Sequence, residues 1–229
     1  MPTTSHAHFT ATHWSLLHHA PRHSALEHLA RAYWPPLYAY LRRDGHAPER
    51  AADLTQAFFA RLIEKQEFAS LDPARGKFRS FLLASLKHFV LNQRAHDNAL
   101  KRGGGKLIPL DAADAESRIV PIDNRTPEQT FNRRWALTLL DRVLQSLQAE
   151  YAGRDNAALF EALKPTLTGG AEDSMEELAK DLGKSAATLR VAAHRLRKRY
   201  REILRREIAQ TVASPSQIEE EIRNLFDSL

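Results

Sequence analysis

The chain has 229 residues and no cysteine, which excludes disulfides and any zinc or redox site built on thiolates. Lys and Arg outnumber Asp and Glu, 33 against 28, and the isoelectric point is about 9.6, which favours a polyanionic partner without proving one. No apolar run approaches the ~20 residues of a membrane span, the N-terminus lacks the apolar core of a signal peptide, and period-2 alternation is nearly absent, so the expectation is a soluble, cytoplasmic, all-α protein of one or two domains.

Residues 1 to 9 are polar and lack periodicity. His6, His8, His13, His18, His19 and His23 show no recurrent ligand spacing, so they read as surface imidazoles and no metal site is expected. From Thr12 to Arg43 the apolar spacing predicts two helices. The second carries the aromatic stripe Tyr33, Trp34, Leu37, Tyr38 and Leu41. Pro35 and Pro36 fall inside that stripe, where a kink or break is expected. The turn Asp44–Pro48 precedes a helix from about Glu49 to Lys65, with Leu54, Phe58 and Leu62 inward. A loop with Pro73 and Gly76 leads to a basic helix, Phe78 to about Asn98. Its apolar face is Phe78, Phe81, Leu82, Leu86, Phe89 and Val90. Its polar side mixes Lys87, Asn92, Gln93, Arg94 and His96, side chains able to meet phosphates and base edges.

Gly103–Gly105 ends that helix. Lys106 is followed by Leu107, so this is no phosphate-binding P-loop. Residues 103–127 read as a linker, acidic in its middle through Asp111, Asp114, Glu116 and Asp123. Thr126–Pro127–Glu128 is a helix start. Phe131, Trp135, Leu139, Val143 and Leu147 form a long apolar seam, and Leu159, Phe160 and Leu163 begin a further helix.

Met175 to Arg206 reads as two short helices followed by a long basic one. Leu178, Ala179 and Leu182 share one face, Gly183 supplies the turn, and Ser185 is placed to cap the second helix. Leu189, Ala192 or Ala193, and Leu196 continue the stripe. This is a helix-turn-helix pattern. Arg190, Arg195, Arg197, Lys198, Arg199, Arg201, Arg205 and Arg206 crowd the seventeen residues from Arg190 to Arg206, with Glu202 the lone acid among them, a density suited to a phosphate backbone. The tail after Pro215 is acidic and amphipathic, with Ile218, Ile222 and Leu225 on one face; docking on a helical groove near the basic helix that it follows is expected. No nucleophile–base pair, Gly-rich cradle or carboxylate cluster supports an enzyme, and no cofactor is implied.

The stretches DLTQAFFARLIEK, FRSFLLASLKHFVLNQRAH and ELAKDLGKSAATLRVAAHRLRKRYREILRREI, in that order around an acidic linker, resemble an extracytoplasmic-function (ECF) sigma factor of the sigma-70 family of bacterial RNA polymerase. The resemblance implies two helical domains joined by a flexible acidic linker. Residues 10–102 would be region two, which binds core polymerase and the minus-ten element. Residues 103–127 would be the linker. Residues 128–213 would be region four, which reads the minus-thirty-five element, and 214–229 the acidic tail. It implies as partners the β and β′ subunits of core polymerase and promoter DNA. By position, Lys184, Ser185, Ala187, Thr188, Arg190, Val191 and His194 would lie at or near the major groove of duplex DNA, and Arg195, Arg197 and Lys198 would hold phosphates or help frame the helix. Asp72, Arg75, Lys77, Arg79, Lys87, Asn92, Arg94 and His96 would meet the opened strand, and Asp53, Leu54, Gln56, Phe58 and Phe59 the polymerase.

One departure stands out. The family's polymerase-binding helix usually carries an acidic cluster, and here Arg50–Ala57 keeps only Asp53. Thr55 stands in that stretch, and a phosphate on it would restore roughly −1.5 to −2 charges. A Ser/Thr kinase acting there, or an anti-sigma factor, is the implied control partner. The competing class is a helix-turn-helix repressor or activator that is no polymerase subunit; a dimer would then be expected.

Overall fold

A computed structural model describes residues 22–64, 77–100, 124–153, 156–168 and 175–229. Expectations for Thr12, the histidines up to His19, Asp72, Arg75 and the acidic linker residues Asp111, Asp114, Glu116 and Asp123 fall outside these residues, as do those for the side chains of His23 and His96. The described residues are helical and contain no strand, as the all-α expectation required.

The elements are α1 (Arg22–Arg43), α2 (Pro48–Glu64), α3 (Phe78–Leu100), α4 (Pro127–Ala152), α5 (Ala157–Leu163) with a 3₁₀ turn Lys164–Thr168, α6 (Met175–Asp181), α7 (Ala186–Ala209), a 3₁₀ turn Pro215–Gln217, and α8 (Ile218–Asp227). Two compact units result. One joins the chain up to Thr138 with Ile208–Leu229, and the other is Leu139–Glu207.

In the first unit α1 is one helix, and Pro35 and Pro36 lie inside it without ending it. The expected break is absent because Tyr33, Leu37, Tyr38 and Leu41 are all buried and Trp34 stacks on Tyr38 at 4.9 Å. Burial on that scale outweighs the ~3 kcal/mol a helical proline costs. Gly45, at φ +92°, makes the turn into α2. Ala51, Leu54, Thr55, Phe58, Phe59 and Leu62 of α2 are buried, with Phe78, Leu82, Leu86, Phe89 and Val90 of α3 and Phe131 and Trp135 of α4. Aromatic edges tie these helices together: Tyr33 to Phe78 at 5.4 Å and Phe58 to Phe89 at 5.8 Å. The start of α4 is a capping box. Thr126 Oγ1 accepts from the Gln129 amide at 3.2 Å, and Gln129 Oε1 accepts from the Thr126 amide at 2.8 Å.

The second unit buries Leu139, Val143 and Leu147 of α4, Phe160 and Leu163 of α5, Met175 of α6, and Leu189, Ala193, Leu196, Ile203 and Leu204 of α7. The two helices expected after Gly183 are one: α7 runs unbroken through the basic stretch. Nothing between Ala186 and Ala209 breaks a helix, since the segment holds neither Gly nor Pro.

Candidate nucleic-acid interface

In the second unit, Gly183 closes α6 with φ +60°, and the Lys184 amide donates back to the Ala179 carbonyl at 3.0 Å. Ser185 then caps α7: its Oγ accepts from the Thr188 amide at 3.1 Å. The hairpin therefore presents the first turns of α7 outward. Lys184, Ser185, Ala187, Thr188, Arg190, Val191, His194 and Lys198 are all exposed. Val191, 52% exposed, is the apolar member of this face and suits contact with a thymine methyl. Arg190 pairs with Glu176 of α6 at the surface. DNA would have to draw it away from that partner.

Not every cation of α7 is on this face. Arg197 is half-buried, and its Nε donates to the Thr166 carbonyl at 3.1 Å. This bond frames the helix, one of the two roles the resemblance implies for Arg197. Arg199 makes a two-pronged bond to Glu150, both arms at 2.7 Å, and a third bond to Glu202 at 2.8 Å. Hydrogen bonds to Glu150, then to Glu202, hold its guanidinium above the usual arginine value. It fastens α7 to α4 as a structural ion pair.

In the first unit, the outward side of α3 carries Ser80, Ala84, His88, Leu91, Asn92 and Arg94, with Leu91 59% exposed. Lys87 donates to Glu128 Oε1 at 2.6 Å and lies 5.7 Å from the centre of the Tyr40 ring. The bond to Glu128 raises the Lys87 pKa, and the Lys87 ammonium in turn holds the Glu128 carboxyl low. Arg94 Nη2 donates to Asp44 Oδ2 at 3.2 Å and stands 3.1 Å from His46 Nε2. Burial first, and then the Arg94 charge, push the His46 imidazole below its usual value.

Lys77 is half-buried and Arg79 buried. Arg79 is 6% exposed, bonded through Nε to Glu221 Oε1 at 2.6 Å and through Nη1 to Asn132, with its guanidinium 4.5 Å from the centre of the Trp135 ring. Lys77 reaches Glu220 Oε1 at 2.8 Å and Glu221 Oε2 at 3.0 Å. In the folded chain both serve the docking of α8. The acidic run Glu219–Glu221 hinted at a basic partner, but nothing in the sequence marked α3 over α7.

On α2, Gln56 is exposed and Asp53 half-buried, so these two can meet a partner. Leu54, Phe58 and Phe59 are core residues at 3%, 3% and 5% exposure. Thr55 is fully buried and its hydroxyl donates to the Ala51 carbonyl at 2.7 Å. While this helix is packed the hydroxyl is enclosed, out of reach of a kinase. Its position between Leu54 and Phe58 on the inward stripe is the physical reason.

Residues 29–99, from within α1 to near the end of α3, match the family Sigma-70 region 2. The match supports a sigma-70 family member. No curated protein and no solved structure matches the chain.

Proposed function

We propose that this protein is an ECF-type sigma factor: it joins core RNA polymerase through its β and β′ subunits, directs it to promoters and helps open the DNA. The observation that carries the reading is the region 2 match over α1–α3, coupled in one chain to a capped, outward-facing basic helix after a glycine turn. In this reading α2 meets the polymerase through Gln56 and Asp53. The outward side of α3, with Leu91, Asn92 and Arg94, meets the separated minus-ten strands, and the start of α7 enters the major groove at the minus-thirty-five element. Capture of unstacked bases offsets the few kcal/mol that opening each step costs, so no ATP hydrolysis is required. Control falls to a protein partner such as an anti-sigma factor rather than to Thr55, whose hydroxyl is enclosed.

The competing reading, a helix-turn-helix repressor or activator, needs no region 2. Purified protein should confer on core polymerase initiation from a subset of genomic promoter fragments that core alone ignores. Duplex DNA binding without any initiated product and without a complex with core polymerase would sink the sigma reading in favour of the repressor.

A further inference from the structure

The outward basic helix α3 begins without a cap of its own. The Lys77 carbonyl accepts from the Ser80 and Phe81 amides at 3.0 and 3.2 Å, but the Lys77 side chain has no oxygen for the Phe78 amide, and no acid stands in the first turn. A helix start normally needs an acceptor for its orphan N–H groups and gains from negative charge nearby. Both come from the far end of the chain. The Phe78 amide donates to the Thr211 carbonyl at 3.2 Å. Glu221, 0% exposed, receives Arg79 on both oxygens, at 2.6 and 3.3 Å, and Lys77 at 3.0 Å. Glu220 takes Lys77 as well. The segment that brings these groups is itself fixed: Ile208, Val212 and Leu225 are fully buried. Ser214 and Gln217 form a capping box that starts the turn into α8.

We propose that the C-terminal segment Ile208–Asp227 is the cap of α3, and that Glu221 is a positioning residue for promoter opening, acting through Lys77 and Arg79. The promoter half of this proposal rests on the sigma-factor reading. Arg79 itself touches no DNA; it is the handle by which the tail holds the first turn of the helix whose outward face does. The tail neutralises two cations whose burial would otherwise be costly, and through the Thr211 carbonyl it supplies an acceptor to the Phe78 amide. The duplex-binding face of α7 has no part in this arrangement, so the two DNA-binding functions should respond differently to damage at the tail.

The test uses the full chain and three variants: Glu221→Gln, Leu225→Glu to undock α8, and the paired Arg79→Met with Glu221→Leu. Amide hydrogen exchange is read at Phe78, Ser80 and Phe81. Affinity for a fork-junction DNA with a single-stranded minus-ten segment is read with core polymerase, and affinity for minus-thirty-five duplex with the protein alone. Glu221→Gln and Leu225→Glu should speed exchange at the first turn of α3 by about tenfold or more, as local opening becomes cheaper. Both should weaken fork-junction binding and leave duplex binding unchanged. The paired variant removes the charge and its partner together, keeps the Thr211 acceptor, and should restore both exchange protection and fork-junction affinity. Unchanged first-turn exchange in Leu225→Glu overturns the cap. Tighter fork-junction binding on undocking also overturns it, since the tail would then be a cover. Persistent weakness of the paired variant despite restored protection makes Arg79 a direct DNA contact and overturns the positioning role. If no form binds fork-junction DNA, the sigma reading fails, and exchange alone still decides the cap.

Discussion

Substitution at Thr55 separates a packing role from a signalling one. The Thr55 side chain is fully enclosed, and its hydroxyl spends its proton on the Ala51 carbonyl one turn back, at 2.7 Å. In Thr55→Val the lost hydrogen bond removes ~1 kcal/mol, and the methyl that replaces the hydroxyl returns ~0.8 kcal/mol by burial. Val and Thr have similar helix propensities. The net change should be within about 1 kcal/mol. In Thr55→Glu two terms add with the same sign. Forcing a longer side chain into the packed site costs ~1–3 kcal/mol, and an enclosed, unpaired carboxylate costs several more even after relaxation. The sum, ~4 kcal/mol or more, is a large part of the ~5–15 kcal/mol that keeps a domain folded. Urea unfolding followed by tryptophan fluorescence reports on this unit through Trp34 and Trp135. Thr55→Val should keep the wild-type midpoint and Thr55→Glu should lose most of it. Unmodified protein, Thr55→Val and Thr55→Ala should bind core polymerase alike. The reasoning is refuted if Thr55→Glu unfolds at the wild-type urea concentration, or if a Ser/Thr kinase fully modifies the folded protein at Thr55.

On α7, Lys198→Ala should weaken binding to all duplex sequences about equally and lower the salt slope by ~1, whereas Arg190→Ala should discriminate among sequences by ~1–3 kcal/mol; titrations at several salt concentrations distinguish them. Burial lowers the folded-state pKa of His46, so its contribution to stability is fully present above the free imidazole value of ~6.5 and is lost as pH falls through the lower folded value. Stability of the first unit should therefore decline below pH ~6.5 more steeply in wild type than in His46→Gln, as read by urea midpoints across that range.

Helices whose cause is local were legible in the sequence. α2 and α3 follow from 3.6-residue spacing of Leu54, Phe58 and Leu62 and of Phe78, Leu82, Leu86 and Phe89, all of them buried. The Gly183 turn and the Ser185 cap follow from single-residue chemistry that the structure reproduces. What was not legible depends on partners distant in sequence. Pro35 and Pro36 predict a break from backbone chemistry alone, and only the packing of the Tyr33–Leu41 stripe overrules it. Side-chain type likewise does not tell a cation aimed at solvent from one spent on structure: Arg79 and Lys198 look alike in sequence, yet one is enclosed with Glu221 and the other exposed. Leu54, Phe58 and Phe59 drew a polymerase role from a resemblance, although their own periodicity already marked them as inward-facing.

The pairing of Arg79 with Glu221 joins residues 142 apart in the chain. Such a contact carries consequences for the order in which the protein matures. A nascent chain leaving the ribosome at ~5–20 residues per second exposes α1–α3 many seconds before Glu221 exists. During that interval Arg79 has no carboxylate from the tail and Phe78 no Thr211 carbonyl. The Leu139–Glu207 segment, whose contacts are closer in sequence, is free to fold first, since short-range contacts close fastest. The unit carrying the region 2 match is thus synthesised first and completed last, and a chain stalled before Ile218 would hold a formed Leu139–Glu207 unit and a first unit still lacking α8.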